Sequence, residues 1–392
     1  MFPMESKPLI MIVMPLADQR GGAELALLQL ISSDTPYRWH IVFMTDGPML
    51  AQCSAMGVPA TLVDTGRVRQ PHKTVAAIFK IARLAKEHDA KLILGWMAKA
   101  HVYGGLAAWI DGIPAGWFQH GLPTPGSWID GSTNRIPAMG AIACSQFSAD
   151  AQLKVTQNLP MRVVYPAADL ARFNPQALPS PVECKKKIRV IGKLIGIFGR
   201  LQSWKGMHVL VAAMPKILAS HSDARLLIVG GAWDQEADYE AKLKQQVAEL
   251  KLGQHVTFAG YQKNIPDWMQ ACDVIVHASD NEPFGMVVVE AMALGKPVVA
   301  GANGGPREAI TEGVNGLLTS FGDSTELADA ILKYLDDPAF AQRMGEAALQ
   351  RAQFFSIPRF AEGVCMALNN WIEQAPARRN KYPGEAFANV QR

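Results

Sequence analysis

Short apolar runs rich in Val, Ile and Leu alternate with longer segments of helical period along this 392-residue chain, and that rhythm limits the available folds more than any single motif does. Runs at 9–14, 40–44, 92–95, 141–143 and 162–164 are apolar at nearly every position, the pattern of strands buried on both faces. Helical segments begin at Ala23 and near Ala51. At 174–181 the chain reads Asn-Pro-Gln-Ala-Leu-Pro-Ser-Pro, loses its periodicity and then carries Lys185, Lys186 and Lys187, the mark of an interdomain linker. Beyond it the rhythm restarts, with runs at 195–198, 225–229, 256–258, 274–276 and 297–300 and helical segments after Lys205 and at 238–249. The expectation is an α/β protein of two Rossmann-like, doubly wound domains, residues 1–180 and 188–358. Their ligand crevices should lie at the carboxyl ends of the strands and face each other across a cleft.

Composition narrows the function classes. The chain is 49% hydrophobic and 19% charged, enough to bury two cores, and a net charge of +3 does not call for a nucleic-acid partner. Cys53, Cys144, Cys184, Cys272 and Cys365 are odd in number, without a CxxC or Cys/His cluster, and are expected to be reduced thiols. The run at 9–16 is short and contains Pro15, so it reads as a first strand and not as a signal sequence. No stretch approaches the roughly 20 apolar residues that span a bilayer, so a cytoplasmic protein is expected, with any membrane contact peripheral. Residues 74–88 set Lys80, Arg83 and Lys86, with Lys73 just before them, among Val75, Ile78, Phe79, Ile81 and Leu84. That is the composition of a surface-lying membrane helix and equally of an amphipathic helix on a sheet. The tail from Ala375, with Arg378, Arg379 and Lys381, reads as frayed.

The densest chemistry lies at 279–299. Ser279 to Phe284 reads as a loop, Gly285 as a helix start, Gly295 as its stop, and Val298-Val299 as the next buried strand. Glu282 and Glu290 stand eight positions apart, at most roughly 12 Å of helical rise, too far to share a proton and suited to gripping two ends of one ligand. Amides of Gly285, Met286 and Val287 would begin the helix and offer its positive end to a diphosphate. Glu290, inside an apolar helix, is costly unless it accepts hydrogen bonds, and a ribose diol supplies two donors. Glu282 could orient sugar hydroxyls, cap the helix, or do both.

Other strand ends add candidates. Gly199, Arg200, Lys205 and Gly206 follow a buried strand, where a guanidinium and an ammonium can meet phosphate oxygens; an ordinary basic loop has the same composition. Gly230-Gly231 and Tyr261-Gln262 lie at further strand ends of the second domain, with Trp233 and Trp268 as ligand contacts or packing residues. Gly21-Gly22 after the first strand permit close backbone approach to a ligand or simply a tight turn. His120 closes an apolar stretch before a loop rich in Gly and Pro, either a structural residue or a ligand contact. No D-x-D triad or His/Cys/carboxylate cluster has ligand spacing, so neither a metal nor another cofactor is expected.

Glu282-x7-Glu290, Gly199-Arg200-Leu201, Lys205-Gly206, Gly304-Gly305-Pro306-Arg307-Glu308 and Gly313-Val314-Asn315-Gly316-Leu317-Leu318 together resemble the signature of retaining GT-B glycosyltransferases, family GT4. Gly21-Gly22-Ala23-Glu24 and residues 165–173 fall where that family places a Gly-rich loop and the entrance to its second domain. The resemblance implies a GT-B architecture whose last helix, about 359–392, completes the first domain. It also implies that the first domain binds the acceptor and the second a nucleotide-diphosphate hexose, with UDP-glucose the foremost expectation. In that family Arg200 and Lys205 would stabilise the leaving diphosphate, Glu290 the ribose, Glu282 and the 285–287 amides the sugar, and His120 the sugar from the opposite domain. Retention would follow front-face attack by the hydroxyl of an acceptor that is a saccharide or lipid-linked, in polysaccharide or glycolipid assembly. A sugar-nucleotide 2-epimerase on the same fold and a non-enzymatic two-domain sugar-binding protein are the alternatives.

Overall fold

A computed structural model describes residues 7–19, 21–66, 71–232 and 236–375. Trp233 and the basic tail with Arg378, Arg379 and Lys381 lie outside the described residues. Contacts divide the chain into two units, Met1–Pro166 with Ile357–Arg392, and Ala167–Ser356.

Among the described residues, the first unit holds a seven-stranded sheet in the order β3-β2-β1-β4-β5-β6-β7. Its strands are β1 (Leu9–Met14), β2 (Arg38–Phe43), β3 (Ala60–Leu62), β4 (Ala90–Trp96), β5 (Ala115–Gln119), β6 (Ala141–Ala143) and β7 (Met161–Val163). Every pairing is parallel, and β1 lies between β2 and β4, so the strand order reverses beside it. Covered on both faces, β1 is buried at all six positions, which is why its sequence is unbroken Leu-Ile-Met-Ile-Val-Met. Helix Pro71–Glu87 packs through Ala77, Ile78, Ile81, Ala82 and Ala85 and leaves Val75 and Phe79 exposed. The closing helix Ile357–Glu373 buries Phe360, Val364, Leu368 and Trp371, one stripe at helical spacing. Its Trp371 ring explains two glycines: a Cβ on Gly116 would come within 2.5 Å of the ring, and one on Gly140 within 2.8 Å.

The second unit repeats the plan with six parallel strands in the order β10-β9-β8-β11-β12-β13. These are β8 (Leu194–Phe198), β9 (Arg225–Val229), β10 (Val256–Gly260), β11 (Val274–His277), β12 (Val298–Gly301) and β13 (Leu317–Thr319). The order reverses between β8 and β11, the point where an open α/β sheet leaves a ligand crevice. All five cysteines are buried and free.

One sequence expectation needs correction. The segment 174–181 belongs wholly to the second unit, and the chain passes between units at Pro166–Ala167 and Ser356–Ile357. Where periodicity was lost there is a helix, Pro181–Lys187, fixed by its ends. Ser180 and Glu183 form a reciprocal capping box, Pro181 starts the first turn and three lysines end the last. Lys185 adds an ion pair to Asp273 at 2.6 Å, so the helix is anchored without an apolar stripe. At the unit's two ends, Ala168 N–H donates to the carbonyl of Phe355 at 2.9 Å.

Candidate active site

The loops after β8, β9 and β11 are fitted to one another by glycines. Gly230 has φ +158°, and a Cβ there would lie 1.7 Å from the Gly199 carbonyl, so the β8 and β9 loops touch backbone to backbone. Leu201 N–H donates to the Gly231 carbonyl at 2.9 Å, and Gly231 in turn abuts Tyr261. Gly206 has φ +71°, with Ala278 O only 2.0 Å from where its Cβ would stand. Asp280 N–H donates to the Trp204 carbonyl at 2.8 Å. These contacts draw the β8 loop onto the β11 loop and set Lys205 opposite Glu282.

Lys205 Nζ lies 2.5 Å from Glu282 Oε2 and 4.0 Å from the centre of the Trp204 ring. His277 Nε2 approaches the same Oε2 at 3.2 Å. Burial pushes the Glu282 carboxyl up, but the Lys205 charge and the His277 contact outweigh it and hold the group well below the usual carboxylate range. The loop that carries it is left-handed at Asn281, φ +48°, and pinned by Asn303 Nδ2, which donates to Asp280 Oδ1 at 2.6 Å. Gly305 N–H donates to the Glu282 carbonyl at 2.8 Å.

Glu282 is therefore no helix cap. Helix Met286–Ala293 starts after Gly285, φ +97°, without any side-chain cap, so Glu282 makes no capping hydrogen bond to its first amides. Glu290, one turn further on, is half-buried, and its carboxylate accepts no hydrogen bond from a described residue. Burial pushes its pKa up to about 7, opposed by the positive charge of Arg172. Arg172 also donates to the Lys263 carbonyl at 2.9 Å, in the β10 loop that carries the exposed Tyr261 and the half-buried Gln262.

The structure thus joins Gly199, Lys205 and Glu282 through direct contacts, holds Gly231 against Leu201 and Tyr261, and sets Arg200 in the same β8 loop and Gly285, Met286, Val287 and Glu290 at the adjoining helix. Sequence reasoning missed His277, which looked like the end of an apolar run, and Arg172, whose place near Glu290 depends on tertiary structure. Lys205, expected as a charge for phosphates, is already paired with a carboxylate.

Gly22 and His120 belong to the first unit, beside its own strand reversal. Gly22 opens helix Gly22–Ser32, and Trp96 Nε1 donates to the Ala23 carbonyl at 2.8 Å. His120 stacks on Phe118 at 4.0 Å and contacts the Trp96 ring at 4.7 Å. Its Nε2 is buried without a hydrogen-bond partner, and burial lowers its pKa to about 3, so it is a neutral imidazole at physiological pH. Among the described residues no group of three or more His, Cys, Asp or Glu side chains could hold a metal ion, and no helix is long and apolar enough to cross a membrane.

Residues 185–351 match the family described as glycosyl transferases group 1. A lipopolysaccharide core biosynthesis mannosyltransferase of Rhizobium meliloti is 31% identical over 212 residues, covering 53% of this chain and 60% of that protein. A D-inositol 3-phosphate glycosyltransferase of Corynebacterium urealyticum is 33% identical, over 56% of this chain and 54% of its own length. The matches thus span between half and two thirds of these relatives. HepE of Anabaena, solved in complex with UDP and glucose, superposes with a TM-score of 0.81 at 29% identity, over 92% of this chain and 99% of that one. Residues 185–351 are thus similar to the glycosyl transferases group 1 family, and the two Rossmann-like units are those of the GT-B fold.

Proposed function

We propose that the chain is a retaining glycosyltransferase that moves a hexose from a nucleotide diphosphate, UDP-glucose first among donors, to a hydroxyl of a saccharide or lipid-linked acceptor. The observation that carries this reading is the Lys205–Glu282 pair beside the uncapped start of helix Met286–Ala293, at the strand reversal of the second unit. Arg200, Lys205 and the amides of Gly285, Met286 and Val287 compensate the charge that grows on the departing diphosphate, with no divalent ion required. Glu290 accepts from the ribose diol, Gly231, Tyr261 and Gln262 border the base, and Glu282 orients the sugar. Gly22 and His120 are the candidate ligand contacts of the first unit.

In the reaction the bond from C1 to the phosphate oxygen breaks, the acceptor oxygen bonds C1 from the same face, and the acceptor proton passes to the departing phosphate. HepE, which binds UDP and UDP-glucose, supports the choice of donor, and the Rhizobium relative supports a place in glycoconjugate assembly. We place the protein in the cytoplasm, working on acceptors at the inner face of the membrane, a reading supported by the exposed apolar and basic residues of helix Pro71–Glu87.

Titration with UDP, GDP and their hexose derivatives, in the presence of EDTA, tests the donor site. Binding of one nucleotide and its sugar derivative is expected, and Lys205→Ala should lower kcat/KM by roughly 2–4 kcal/mol in free-energy terms. Indifference to both nucleotides would leave a simple sugar binder. Conversion of a nucleotide sugar to its epimer without acceptor would favour the epimerase.

A further inference from the structure

The side chain of His277, at the end of β11, is 3% exposed. Its Nε2 lies 3.2 Å from Glu282 Oε2, and Lys205 Nζ reaches the same oxygen at 2.5 Å. Both donors thus hold one oxygen, while Oε1 accepts from no described residue. A carboxylate has about four lone-pair sites, so holding one edge leaves the other for a ligand.

The hydrogen on the imidazole can be located by elimination. Nδ1 is buried without a partner. A hydrogen there would be an orphaned donor in the core, and Nε2 would then turn a lone pair toward the carboxylate oxygen. The tautomer with its hydrogen on Nε2 avoids both penalties and donates to Glu282. Ser279 Oγ is a more distant neighbour of that nitrogen, at 3.4 Å. Lys205 alone cannot fix the direction of Glu282, because an ammonium is a point charge about which a carboxylate can swivel. A planar ring rooted in a buried strand supplies the second point that sets the angle.

We propose that His277 is the positioning residue that aims Glu282 Oε1 at a hydroxyl of the donor sugar. This rests on the functional reading of the site given above. It assigns His277 an effect on the sugar and none on the nucleotide.

The test compares UDP with UDP-glucose, or GDP with GDP-mannose if the wild-type protein prefers guanosine. His277→Leu removes the donor and keeps most of the volume; His277→Gln restores an amide near the Nε2 position; His277→Asn places it nearer Nδ1, away from Glu282. Nucleotide affinity should stay unchanged in all three. Nucleotide-sugar affinity and kcat/KM should fall roughly 10–100-fold in the Leu and Asn variants, the range seen when supporting residues of a site are removed, and largely return in the Gln variant. If the Leu variant does not fold, the Gln and Asn pair carries the comparison.

Equal losses for nucleotide and nucleotide sugar, or a Gln variant no better than Asn, would make His277 a packing residue and overturn the proposal. So would full sugar affinity in the Leu or Asn variant. Glu282→Gln separates the two layers: if it binds the nucleotide sugar as the wild type does, the sugar-orienting role of Glu282 itself fails. If it weakens binding while the His277 variants are silent, this inference alone fails.

Discussion

Two carboxylates of one loop and helix titrate in opposite directions because Lys205 meets Glu282 at 2.5 Å while only the field of Arg172 opposes the burial of Glu290. Between about 4.5 and about 7 the folded chain holds a proton on Glu290 that the unfolded chain releases, so this group makes the protein less stable as pH rises through that window. The full effect is on the order of 3 kcal/mol. Glu290→Gln should therefore melt higher than wild type at pH 8 without ligand, yet lose donor affinity; a lower melting temperature in calorimetry would contradict this. Wild-type donor affinity should also decline as pH falls through about 7, and that decline should vanish in Glu290→Gln. Glu282 has the opposite sign: its stabilisation is present above the unfolded carboxylate pKa and is lost only as pH falls through its depressed folded value. Near neutrality the pair is complete, and Lys205→Ala should cost about 3–5 kcal/mol by leaving a buried carboxylate without its counter-charge. The double variant Lys205→Met/Glu282→Gln should regain most of that in urea unfolding without regaining turnover.

Loops placed by glycine hold the site at the next scale. Gly206→Ala would drive a methyl into the Ala278 carbonyl at a left-handed position, and Gly230→Ala one into Gly199. Either variant should lose more than about 2 kcal/mol in urea unfolding and should weaken donor binding as well, because the same contacts set Lys205 opposite Glu282. On helix Pro71–Glu87 the exposed Phe79 stands beside Lys80 and close to Arg83. Phe79→Asp should leave stability unchanged and reduce sedimentation with anionic phospholipid vesicles; equal sedimentation would remove the membrane role. The sheets were legible because buried parallel strands are apolar at every position, as in β1, and Glu282 and Glu290 were legible through local spacing. The Lys205–Glu282 pair spans 77 positions, and no local pattern links its members. Helix Pro181–Lys187 escaped notice because caps and an ion pair hold it, and apolar period does not.

Each of the two units has its own buried cluster, one built around Met11, Val13 and Ile93 and the other around Ile195, Leu226 and Val276. The last described helix, Ile357–Glu373, belongs with the first unit, where Trp371 covers Gly116 and Gly140. Trp371→Ala should cost about 3–5 kcal/mol, and hydrogen exchange should place the lost protection in β5 and β6 while β8 to β12 keep theirs. Uniform loss across both sheets would show that the units do not unfold separately. Because Ala167–Ser356 is one uninterrupted stretch set inside the sequence of the other unit, it is synthesised whole before the last described helix is begun. A chain released at residue 356 would hold every residue of the second unit and a first unit still waiting for its tryptophan.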